Sequence, residues 1–78
     1  MTRALNLPVA TAAALEWITR NHRNPERLTR LQVTQNAMRA YDNSEVIYKA
    51  VPYRNRSAYQ DAVAAAWLER FGAFGGDL

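Results

Sequence analysis

Apolar residues recur along this chain at steps of three and four for most of its length, the period of a helix with one buried face. Ala10, Ala14, Trp17 and Ile18 form a first stripe with Ala13 alongside, while Thr11, Glu16, Thr19, Arg20 and Arg23 fall towards the other face or the end. Asn6-Leu7-Pro8 supplies the entry, because proline's missing N–H has no partner to lose in a first helical turn. The pattern predicts a first helix that runs to about His22.

Asn24-Pro25-Glu26 carries a second start signal: a side-chain cap, a preset backbone angle and a carboxylate near the positive end of a helix. Leu28, Leu31, Met38 and Tyr41, with Ala37 and Ala40 beside them, keep helical spacing, and Val33 fits only the edge of the stripe. A helix over 25–41 is expected, closed by the turn Asp42-Asn43-Ser44. Residues 44–51 are ambiguous. They read either as a short helix capped by Ser44 or as a strand with Val46 and Tyr48 opposite Ile47 and Val51, ended in both cases by Pro52.

Ser57 and Gln60 have the three-residue spacing of a capping box. A third long helix follows over 58–71, with Tyr59, Val63, Ala66, Trp67 and Arg70 in one row and Ala64, Leu68 and Phe71 in the next. Gly72 is its exit, and 72–78 reads as a loose tail. The expected fold is therefore mainly α: one small domain over 1–78, a compact bundle of three main helices with a short fourth element at 44–51. Trp17 and Trp67, both on alanine-lined faces, are expected in the core.

Composition narrows the function classes. Within 78 residues there is room for one core and none for a separate substrate domain. With no cysteine, disulfides and thiolate metal sites drop out. Asn6, Pro8 and Thr11 interrupt the only stretch that imitates a signal peptide, Arg3 to Leu15, and no run reaches the length of a membrane span. A cytoplasmic setting without membrane contact is the expectation.

Charge changes the picture most. The net charge is only +3, yet residues 1–41 carry six Lys and Arg against two acids, and residues 42–78 carry four against five. Between Arg20 and Arg39 five arginines face the single acid Glu26. Arg20, Arg23, Arg27 and Arg30 recur at helical steps, and a tight corner between the first two helices would gather them with His22. Guanidinium groups so grouped suit a phosphate backbone or an acidic protein surface. Their plain alternative is a solvated polar face.

A second candidate is the ring-and-guanidinium segment Tyr48, Tyr53, Arg54, Arg56 and Tyr59. Residues of these types dominate protein-interface anchors, and Tyr53 and Arg54 are the least explained by a core role. His22 has no ligand partners at metal spacing and is expected to be exposed at a helix end. The acids are scattered, the serines serve as caps, and no nucleophile, base and orienter assemble, so an enzyme is not expected and neither cofactor nor small-molecule substrate is implied.

One resemblance stands beside this reading. Ala4-Leu5-Asn6-Leu7-Pro8 followed by a helix resembles the strand-then-helix opening of ribbon-helix-helix repressors, and Ala37-Met38-Arg39-Ala40-Tyr41 is similar to the end of their second helix. It implies a dimer whose paired strands place Ala4 and Asn6 in a DNA groove. The segment His22–Leu28 departs from that family, being longer, proline-bearing and without the usual glycine. Two function classes follow: a small nucleic-acid-binding regulator working through the arginine corner, open to homodimerisation, and a phage-type inhibitor that docks on a larger protein through 48–59.

Overall fold

A computed structural model describes residues 4–76. Four α-helices run in the order α1 (Leu7–Asn21), α2 (Arg30–Asn43), α3 (Glu45–Ala50) and α4 (Arg56–Phe71), with 3₁₀ turns at Pro25–Arg27 and Tyr53–Asn55. The three long helices pack on one another, and α3 lies against α1 and α2. This is the mainly α bundle that the apolar periodicity predicts, and no strand occurs among the described residues.

Local chemistry explains each start. The Asn6 side chain accepts from the Val9 amide at 3.3 Å and opens α1 with Pro8 in its first turn. The Ser44 hydroxyl accepts from the Ile47 amide, so 44–51 resolves as helix rather than strand. Asn6 therefore works as a cap, and its own amide donates to the Ala50 carbonyl at 2.8 Å. Residues 4–6 form no strand within the single chain described.

Two boundaries differ from the sequence reading. The Asn24-Pro25-Glu26 signal produces only one 3₁₀ turn, and the second helix begins five residues after Pro25, at Arg30. Its start is a capping box: the Thr29 hydroxyl accepts from the Gln32 amide at 3.2 Å and the Gln32 side chain accepts from the Thr29 amide at 2.9 Å. The box expected at Ser57 and Gln60 does not form, because α4 starts ahead of it at Arg56. Gln60 instead donates to the Thr34 carbonyl.

The buried face of α2 also differs from the expected stripe. Val33, Ala37, Ala40 and Tyr41 are buried, whereas Leu31, expected inside, is 65% exposed and Met38 is only partly covered. Leu68 of α4 likewise lies outside. Trp67 is fully buried and its ring centroid lies 4.5 Å from that of Phe71, but Trp17 only packs at the edge of the core. The carboxyl-terminal segment is not loose where it is described: Phe74 is buried and the Gly75 amide donates to the Leu28 carbonyl at 2.8 Å. Arg3, Asp77 and Leu78 lie outside the described residues.

Candidate nucleic-acid interface and the tyrosine face

Arg20, Arg23, Arg27 and Arg30 sit on four successive pieces of chain where α1 leads into α2. Arg20 belongs to the last turn of α1, Arg23 to the loop, Arg27 to the 3₁₀ turn and Arg30 to the first residue of α2. All four are exposed. Arg20 pairs with Glu16 one helical turn earlier, in an exposed ion pair. Arg23, Arg27 and Arg30 have no ion pair among the described residues. Arg30 is the first residue of α2, where a cation opposes the helix dipole.

The corner backbone is fastened from three sides. The buried Asn36 donates through Nδ2 to the Gln32 carbonyl at 2.8 Å, which leaves its Oδ1 to accept from His22 Nε2 at 2.9 Å. His22 closes α1 as expected, but it is part-buried and bonded rather than exposed. Leu28 is buried between the arginines, and its carbonyl holds the Gly75 amide. A Cβ on Gly75 would overlap the Arg27 carbonyl, so the tail reaches the corner only because this residue is glycine. The result is an arginine-bearing segment with an ordered backbone, a link between sequence and surface that residue spacing alone did not reveal.

The second candidate set divides in two. Tyr53 is 63% exposed, and the Arg56 guanidinium lies 3.5 Å from its ring centroid while Nε donates to the Tyr53 carbonyl at 2.9 Å. Arg54 and Arg56 line a hollow with Met38, Ser57 and Gln60 on one side of Tyr53. Tyr53 also joins Tyr48 and Tyr41 in a separate groove. Tyr48, 52% exposed, sits with its ring centroid 5.7 Å from that of Tyr41, and Tyr41 lies 6.0 Å from Tyr59. The rings therefore run from core to surface.

Tyr59 is the buried end of that row. Its hydroxyl donates to the Ala37 carbonyl at 2.6 Å, and Tyr41's donates to the Val51 carbonyl at 3.0 Å. Burial pushes the Tyr59 phenol well above its ordinary pKa, with Asp42 and Tyr41 adding to the shift. Among the described residues no group of three or more His, Asp and Glu gathers as a metal site, and no helix is long and apolar enough to cross a membrane. Comparison with protein-family models, curated proteins and solved structures finds no match.

Proposed function

We propose that this chain is a small non-enzymatic regulatory protein that binds nucleic acid through the corner formed by Arg20, Arg23, Arg27 and Arg30. The observation that carries this reading is the exposure of Arg23, Arg27 and Arg30, without ion-pair partners among the described residues, on a backbone held by His22, Leu28 and Gly75. A fastened backbone lowers the ordering entropy of binding, and guanidinium forks bind phosphate oxygens bidentately. Contacts of this kind give affinity without base reading, with counterion release as the driving force. Arg20 contributes less than the other three, because its exposed pair with Glu16 competes for the guanidinium.

Fluorescence anisotropy with a labelled DNA duplex and a labelled single-stranded RNA tests the reading directly. Binding to either at low salt, lost in an Arg23→Ala, Arg27→Ala, Arg30→Ala triple variant that melts like the parent, supports it. Absence of binding to both rejects it. A second reading, docking on a larger protein as a phage-type inhibitor does, is favoured by the exposed Tyr53 ring under Arg56. Under that reading Tyr53→Ala and Arg54→Ala abolish partner capture and leave folding intact.

A further inference from the structure

We infer that the hollow formed by Met38, Tyr53, Arg54, Arg56, Ser57 and Gln60 is a binding site for a phosphate monoester, separate from the arginine corner. The hollow encloses about 220 Å³. Two of its six lining residues are arginines, and none is acidic. No corner arginine lines it, and Met38 sets it about 12 Å along α2 from Arg30 at the usual rise per helical residue. The inference therefore goes beyond nucleic-acid binding at the corner and concerns a second surface.

Both arginines keep their charge and most of their donors. Arg54 is exposed and makes no hydrogen bond, ion pair or ring contact among the described residues. Arg56 is held in place: its Nε donates to the Tyr53 carbonyl at 2.9 Å, and its guanidinium carbon lies 3.5 Å from the Tyr53 ring centroid. That bond uses one of the five N–H donors of a guanidinium, so the four on the two terminal nitrogens remain. Packing on the ring occupies a face of the group and leaves its edge, where those donors lie, for an oxyanion. Ser57 adds an exposed hydroxyl that bonds nothing among the described residues.

Charge and shape choose a monoester over other anions. A phosphate monoester carries about −1.5 to −2 at pH 7, which matches two guanidinium charges with no carboxylate beside them, whereas a carboxylate or a phosphodiester carries a single negative charge. The site is a hollow rather than a track, so it suits a group at the end of a ligand. A phosphodiester continues in both directions. Arg54 and Arg56 also stand at the amino end of α4, where cations oppose the helix dipole. A bound dianion relieves that opposition and the repulsion between the two arginines together.

The test is an NMR titration of the full chain, labelled with nitrogen-15, against methyl phosphate near neutral pH and at constant ionic strength. Dimethyl phosphate and acetate serve as comparisons. The expected result is saturable shifts centred on the amides of residues 53–60, with binding of either comparison weaker by about fivefold or more. The shifts should persist in the Arg23→Ala, Arg27→Ala, Arg30→Ala triple variant. Arg54→Gln should weaken binding by about fivefold and Ser57→Ala by about twofold, with melting unchanged in both. An end-blocked Gly-phosphoserine-Gly peptide, titrated in parallel, separates the sources: tighter binding than methyl phosphate assigns the ligand to a phosphorylated protein segment, and equal or weaker binding assigns it to a free phosphorylated compound. Shifts at the corner only, loss of the 53–60 shifts in the triple variant, or unaltered binding by both folded variants would overturn the inference. Equal affinity for dimethyl phosphate or acetate would overturn it too, by making a nucleic-acid backbone or a carboxylate the occupant. Failure here leaves the corner reading untouched, because neither single variant alters a corner arginine.

Discussion

The Gly75 amide donates to the Leu28 carbonyl at 2.8 Å, and this bond ties the end of the chain to the corner that carries Arg27 and Arg30. Gly75 is required there by space, since any side chain would run into the Arg27 backbone. Gly75→Ala should therefore destabilise by about 1–3 kcal/mol, the usual scale of forced overpacking. Hydrogen exchange should show faster exchange at the 75 amide and around 27–30. Gly72 is a different case: it closes α4 at φ 82 with open space around its Cβ position, so Gly72→Ala should lower the melting temperature through backbone strain without loosening the corner.

The two tryptophans should separate in a denaturant melt. Trp67 is fully enclosed, and Trp67→Ala should remove about 3–5 kcal/mol, a large part of the stability of a domain this size. Trp17 lies at the edge of the core, so Trp17→Ala should remove only about 1–2 kcal/mol. Equal losses would mean that the first helix is turned further inward than described.

Alkaline pH probes the Tyr59 row. The folded phenol is held protonated by burial, whereas in the unfolded chain it ionises near pH 10.0. Below that value both states keep the proton and stability is undiminished. Above it the unfolded state alone loses the proton, so stability falls by up to about 1.4 kcal/mol per pH unit from this group. Tyr59→Phe should cost about 1 kcal/mol at neutral pH through the lost bond to Ala37 and should flatten the alkaline fall. Melting curves collected from pH 8 upward, on parent and variant, check both statements.

Much of the fold was legible because helical spacing survives in Ala10, Ala14 and Ile18 and in Tyr59, Val63 and Trp67, where burial follows the stripe. The second helix was harder to read. Its sequence holds two start signals, Asn24-Pro25-Glu26 and Thr29-x-x-Gln32, and only the second satisfies backbone donors reciprocally, which makes it the helix start. The same spacing at Ser57 and Gln60 failed because α4 gains its first turn upstream, through the 3₁₀ turn at Tyr53–Asn55. At the candidate site the exposed arginines were visible from spacing and charge. The contacts that fasten them were not, since His22–Asn36 spans 14 residues and Leu28–Gly75 joins positions far apart in the chain.

The central claim, that the arginine corner binds phosphate backbones, is tested most directly by the slope of log affinity against log salt for a DNA duplex. With Arg23, Arg27 and Arg30 each neutralising one phosphate, the parent should show a negative slope of about 2.7, since each contact on duplex DNA contributes about 0.9. Arg27→Ala with Arg30→Ala should reduce the slope by about 1.8 while the melting temperature holds. An unchanged slope in the folded double variant, or no binding by the parent even at low salt, would contradict the account.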